Sequence, residues 1–320
     1  MTGTSRTRDV AAHMLAAWMG GRFYRTFRVT EDDPTPFDFV LNQRERTVGV
    51  AVGVLWDEEP RPAGADALED MLSGDVETDE GIAPGAYAVW VPPTAVIPTE
   101  EPEVSDLRIT LGRTLRHLEV GDRREARIPV TVKLAKLQTE GAYVSVVGGL
   151  SPQWLAMSEG IPGSFHLDSR PIHRLPEETA EVDILVSRVR DFAIALEPGE
   201  LTDINLHDHW VVSRLPDGSP PGVTVITSPP AVDPSDGTNV RRRFRQEVQR
   251  AVEQKQAGEA DLVVLAVVGP FARIGAELVT ASLRGMNPAL YTALDLVVVI
   301  ADGSVRQVLQ PRSLPWEAVR

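Results

Sequence analysis

Cysteine is absent from all 320 residues. That excludes disulfides, thiolate metal sites and cysteine nucleophiles, so any metal or catalytic site must use nitrogen and oxygen donors. Aromatic residues are scarce, at 6%, and the core is expected to rest on Val, Leu, Ala and Ile. No apolar run approaches the roughly 20 residues that cross a bilayer, so no membrane partner is expected. The first 21 residues, MTGTSRTRDVAAHMLAAWMGG, set two arginines before an apolar stretch. Asp9 and His13 interrupt it, and its apolar positions follow helical spacing. It reads as an amphipathic helix, not an export signal, and the cytoplasm is the expected location. Positive charge is also short, with a formal net charge of −14. Such a surface repels nucleic acid on average, which favours a protein partner over a nucleic acid.

What is present is clearly punctuated. Pro and Gly cluster at 60–64, 91–104 and 215–239, leaving blocks of 1–100, about 101–214 and about 239–320. The first block predicts a helix over Asp9–Met19, a strand in RFYRTFRVT, strands near Phe37–Leu41 and Val48–Trp56, a helix near Asp66–Leu72 and a strand at Ala86–Val91. The last block predicts a helix capped by Asn239, with Phe244, Val248 and Val252 as its buried stripe. A continuous apolar strand, DLVVLAVVG, follows, then a helix over Ile274–Leu283 and a hairpin turning at Asp302-Gly303. The middle block alternates instead. Ile128, Val130, Val132 and Leu134 share one strand face, and helices are expected at Ser151–Met157 and Val182–Leu196. The expected fold is α/β, a mixed sheet with flanking helices, formed by 1–100 and 239–320. Residues 101–238 would be an α+β insertion ending in a Pro-rich linker. Two consecutive domains is the competing layout.

One stretch raises a chemical question. PFDFVLNQRERTVGVAVGVLW, from Pro36 to Trp56, sets an aspartate on one strand and a polar turn before a long β-branched strand. Metal-assisted phosphodiester hydrolysis uses two carboxylates around a divalent ion and a lysine that orients water. A Glu and a Lys separated by one residue share a strand face. The layout of 9–56, with 239–300 supplying later elements, resembles the restriction-endonuclease-like PD-(D/E)XK nuclease superfamily. The resemblance implies that the metal-binding aspartate falls on Asp38, the glutamate on Ala51 and the lysine on Gly53. Neither Ala51 nor Gly53 supplies that chemistry, so the resemblance implies a degenerate site. A second stretch, DLVVVIADGSVRQVLQP, has the same cadence around Asp295, with Leu309 and Pro311 where the acid and lysine would stand. An ordinary structural hairpin explains both stretches. Acids near enough to have taken over are Glu45, Asp57, Glu58 and Glu59, although none restores the spacing. Glu253 and Lys255 sit on a predicted helix, where i and i+2 diverge. Packing is expected against the small face of Gly49, Ala51 and Gly53.

Two histidine-rich segments offer a different chemistry. FHLDSRPIH carries His166, Asp168 and His173, and NLHDHWVV carries His207, Asp208 and His209. If the segments meet, His166, Asp168, His207 and His209 make a nitrogen–oxygen set suited to zinc or manganese. Arg241, Arg242 and Arg245, with Arg243 and Arg250, are candidate phosphate contacts. A solvated helix face is the plainer reading of them. GPFARIGA follows the buried strand but lacks the glycine and lysine spacing of a phosphate loop. The sequence favours a non-catalytic binding or scaffold protein on a diverged nuclease-like layout. The alternatives are a metal-dependent hydrolase using the His/Asp cluster and an active nuclease with relocated acids. No resident cofactor is expected. Magnesium or zinc enters only with an enzyme reading.

Overall fold

The computed structural model describes residues 3–30, 35–58, 60–229, 237–269 and 272–317. The chain begins with α1 (Gly3–Phe23), β1 (Arg28–Val29), β2 (Phe39–Gln43), β3 (Arg46–Val54), α2 (Ala65–Thr78), β4 (Ala86–Trp90) and α3 (Glu103–Leu115). It continues through β5 (Arg123–Gln138), β6 (Ala142–Gly148), a 3-10 turn (Ser151–Gln153), α4 (Trp154–Ser158), β7 (Gly163–Ser169), α5 (Thr179–Ala195), β8 (Leu201–Arg214) and β9 (Gly222–Ile226). It closes with α6 (Gly237–Ala257), β10 (Leu262–Val268), α7 (Ala272–Leu283), α8 (Pro288–Tyr291), β11 (Leu296–Ala301) and β12 (Ser304–Leu309). Mixed sheets with flanking helices make this an α/β protein. None of the described helices is long and apolar enough to cross a membrane.

Two compact units result, Met1–Arg124 with Val211–Arg320, and Glu125–Trp210. The first contains a sheet in the order β1-β2-β3-β10-β11-β12. β3, β10 and β11 run parallel, so Val50 lies opposite Val264, which lies opposite Leu296. β2 and β12 close the flanks antiparallel. Residues 28–54 and 262–309 therefore meet in one sheet. Its central strands are buried almost throughout, as expected of parallel strands covered on both faces. α1 and α6 both pack on β3 and β10. Val240, Phe244, Val248 and Val252 form the buried stripe of α6. The same unit holds β4, paired parallel with β9 and antiparallel with Val211–Arg214 of β8.

The second unit orders its strands β6-β7-β5-β8. β6 and β7 are parallel, and β7 and β5 are antiparallel. β5 and β8 are joined at one end by Lys136 N donating to Glu200 O (3.0 Å) and Gly199 N to Lys136 O (2.8 Å). The core of this unit combines Val132 and Leu134 of β5, Phe165 and Leu167 of β7, Ile204 and Leu206 of β8, and Leu185 and Val189 of α5.

Several local expectations are corrected. RFYRTFRVT is not one strand, because α1 runs through Phe23, Tyr24 turns at φ 54°, and only Arg28–Val29 pair. Asn239 does not cap α6, which begins at Gly237. The Pro-rich stretches conceal α3, with Leu107, Leu111 and Leu115 buried, and β9, which is completed by pairing with β4. Of the 101–238 segment, 125–210 forms the second unit, while α3, the end of β8 and β9 belong to the first.

Candidate functional site

Asp38 lies just before β2, its backbone N donating to Val50 O (3.1 Å). Its carboxylate is held from several directions. Oδ2 accepts from Val52 N at 2.7 Å and from Arg250 Nη1 at 2.8 Å, and Oδ1 accepts from Arg8 Nη1 at 3.3 Å. Arg250 also donates to Val52 O (2.8 Å) and pairs with Glu247. The positions opposite are filled too. A Cβ on Gly53 would lie 2.5 Å from Glu247 Cγ, and one on Gly49 would lie 2.6 Å from the Phe37 ring. The small strand face thus receives side chains from α6 and from the chain before β2. Glu247, which fills the space at Gly53 and pairs with Arg250, is an acid that the strand spacing around Asp38 does not announce. Its signal lies in α6 spacing, since Glu247 and Arg250 are three residues apart and share a helix face.

The remaining acids near this corner diverge. Glu45 sits in the exposed β2–β3 turn, Asp57 pairs with Arg243, and Glu59 lies outside the described residues. Glu58 takes Arg8 through Oε2 (3.0 Å), while its Oε1 is buried with no partner among the described residues. Burial pushes the Glu58 carboxyl above its ordinary range. Arg8 opposes that shift, and the charges of Glu247 and Asp38 reinforce it. A raised folded-state pKa means the ionised form is disfavoured in the fold. The stabilising contribution of the protonated carboxyl is complete below the unfolded pKa and is lost as pH rises through the folded one. Glu58→Gln is therefore expected to melt above wild type at pH 7 and level with it below about pH 4. Thermal melts across that range check this, and equal melting at pH 7 would contradict it.

Asp295 is similarly engaged, by Lys255 Nζ (2.7 Å) and Val263 N (2.8 Å). The arginines of α6 split by helix face. Arg241, Arg242 and Arg245 are exposed, whereas Arg243 and Arg250 turn inward to Asp57 and Asp38. Two residues of the GPFARIGA loop, Pro270 and Phe271, lie outside the described residues.

In the second unit, the anticipated metal set does not assemble. His166 and Asp168 lie on β7, opposite Ala135 and Lys133 of β5, and β5 separates them from β8. His166 Nδ1 contacts Ser145 Oγ at 3.3 Å. Hydrogen bonds from the Arg170 guanidinium and amide hold the Asp168 carboxyl down at about 2. Strand alternation separates the neighbours on β8. Asp208 is buried and accepts from His173 and Trp210, whereas His207 and His209 line one cleft.

The described acids and histidines that do converge are Glu125, Glu181 and His209, one donor atom of each lying within 4.8 Å of the others. Glu125 Oε2 contacts His209 Nδ1 at 2.9 Å, and Glu125 Oε1 accepts from Glu177 N at 3.0 Å. Burial alone would raise the Glu125 carboxyl. The His209 ring, the Glu177 amide and the Arg174 charge outweigh it and leave the group below its ordinary range. An ionised Glu125 makes Nδ1 of His209 the hydrogen-bearing nitrogen. Glu181, in the first turn of α5, pairs with Arg127 (2.6 Å). The adjoining cleft holds about 230 Å³, with Leu185 and Leu206 among its apolar walls and Arg127, Arg188 and His207 at its polar edge. Burial, together with the charges of His209, Arg127 and Arg188, lowers the His207 pKa. Glu125 and Glu181 carry no local motif, one opening a strand and the other a helix, so only folding makes them neighbours of His209.

No protein-family model, curated protein or solved structure matches the chain.

Proposed function

We propose that this chain is a non-catalytic binding or scaffold protein on a diverged nuclease-like layout. The observation that carries this reading is the closure of Asp38. Two arginines and the Val52 amide take its oxygens, and Glu247 occupies the space beside Gly53. A carboxylate kept for a divalent ion needs free lone pairs and a second acid facing the same ion. Here Glu247 and Glu58, the other acids at the corner, are each paired with an arginine. Net charge argues for a protein partner over a nucleic acid.

The test combines activity with stability. Wild type and Asp38→Asn are incubated with single-stranded, duplex and structured nucleic acids in magnesium and in manganese. The expected result is no cleavage attributable to Asp38, together with a loss of about 1–3 kcal/mol of stability in Asp38→Asn, because two partly buried arginines each lose one of their two carboxylate partners and the amide turns a donor toward them. Cleavage by wild type that disappears in the variant supports the relocated-acid nuclease instead. So does a variant as stable as wild type, since an acid held for an ion contributes repulsion when the ion is missing.

A further inference from the structure

We propose that the open edge of β6 pairs with the β6 of a second copy of this chain, antiparallel about a two-fold axis. The inference uses residues of the second unit alone and does not depend on the reading of Asp38. β6 ends its sheet, with β7 as its strand neighbour. Gly163 N donates to Gly141 O, and Gly149 N to Ser169 O. In that parallel register the odd-numbered residues of β6 turn their backbone groups to β7, and Ala142, Val144 and Val146 turn theirs outward. Val146 O accepts from Ser151 Oγ (3.1 Å). Val144 N and O have no partner among the described residues. The other sheet ends are protected in the ways natural edges usually are. β1 is two residues long, and β12 carries the exposed Arg306 and a register shift against β11. On β9 the outward amides of Val223 and Val225 go to Ser73 and Glu69, and Arg61 donates to Val225 O. β6 has seven residues in unbroken register, without charge or proline.

Charge selects the occupant. No charged residue stands between Glu140 and Glu159, although the chain is 24% charged with a net charge of −14. Two such chains repel over most of their surface, and this strip lets them meet without setting like charges opposite one another. A basic peptide would find no acid along it. The edge also complements itself, as a two-fold contact requires. With the axis at Ser145, Val144 of one copy lies opposite Val146 of the other. Val144 N then donates to Val146 O, and Val146 N to Val144 O. Val146 O has a second lone pair for this beyond the one used by Ser151. Val144 and Val146 pack against the core of the unit, so pairing makes the two cores continuous. α4 packs on β6, and its Trp154 and Leu155, 51% and 65% exposed, add apolar surface beside the open edge.

Sedimentation equilibrium of the full-length chain, from low micromolar to about 0.2 mM protein, reads the association. A monomer–dimer equilibrium is expected, strengthened by salt, which screens the acidic repulsion. Val144→Pro removes an outward N–H and leaves the ladder to β7 in place. Val147→Lys puts a charge on an exposed side chain of the edge strand. Each should raise the dimer Kd at least about tenfold. Leu201→Lys, at an exposed apolar position opening β8, should leave it unchanged. Circular dichroism identifies any variant that fails to fold, and Val147→Lys keeps the test decisive if Val144→Pro misfolds. A wild-type chain that stays monomeric throughout the range overturns the inference. So does a dimer that survives Val147→Lys, one that Leu201→Lys also abolishes, or one that salt weakens.

Discussion

Asp208→Ala is expected to destabilise the second unit by roughly 3–5 kcal/mol, the range for removing one member of a buried charged network. The Asp208 side chain is 3% exposed. Oδ1 accepts from the backbone N of His173 and of Arg174, both at 2.8 Å. Oδ2 contacts His173 Nδ1 and accepts from Trp210 Nε1, both at 3.0 Å. Alanine leaves these groups buried and unsatisfied, and each unmade bond costs on the order of 1–3 kcal/mol before the site relaxes. The carboxylate pins the segment around Ile172–Arg174 to β8, so its loss also loosens the chain that leads into α5. Asp208→Asn should cost less, because it keeps one acceptor oxygen while turning an amide toward a donor. Urea unfolding followed by tryptophan fluorescence measures both variants. A loss below about 1 kcal/mol in Asp208→Ala would show that the network does not carry this anchor.

Gly149→Ala is the second large effect, expected to exceed the ~1–3 kcal/mol typical of an overpacked core. A methyl there would overlap the Ile172 carbonyl oxygen, far inside the sum of their van der Waals radii. That obstacle is backbone, and it cannot rotate aside as a side chain does. The adjoining Gly148 has φ 95° and makes an equally close approach to the Ser169–Arg170 peptide. Gly149 N donates to Ser169 O (3.3 Å), so the two segments are also bonded. Gly199→Ala is the control. Its φ is 87° but no heavy atom lies within 4 Å of the added methyl, so only left-handed strain of about 1–2 kcal/mol applies. Calorimetric melts of both variants compare the two costs. Equal destabilisation would show that the backbone at Ile172 yields readily.

Both anchors escaped the sequence, whereas much of the framework did not. The stripe Phe244, Val248 and Val252 announces α6, and the apolar runs at Leu262–Val268 and Leu296–Ala301 announce buried strands. These signals are local, because side chains three to four residues apart share a helix face and parallel strands are covered on both sides. β9 is different. Its five residues lie in a Pro-rich stretch and become a strand only by pairing with β4. α3 was hidden by the Pro-rich segment before it, although Leu107, Leu111 and Leu115 keep helical spacing. The candidate site divides the same way. Alternation alone places His207 and His209 together, while Glu125 reaches His209 across 84 residues.

The sequence by itself determined the available chemistry: no cysteine, no Glu-x-Lys pair beside Asp38, a strongly acidic balance, and two histidines on one strand face. Those properties follow from residue identity and from the period of an extended chain. Only the tertiary structure decided which charges are already neutralised. Asp38 is held by arginines from α1 and α6, and Asp208 by a segment far from β8 in sequence, while His209 has Glu125 and Glu181 as neighbours in place of His166 and Asp168. Electrostatic partnership depends on distance in space, and the order of residues along the chain does not specify that distance.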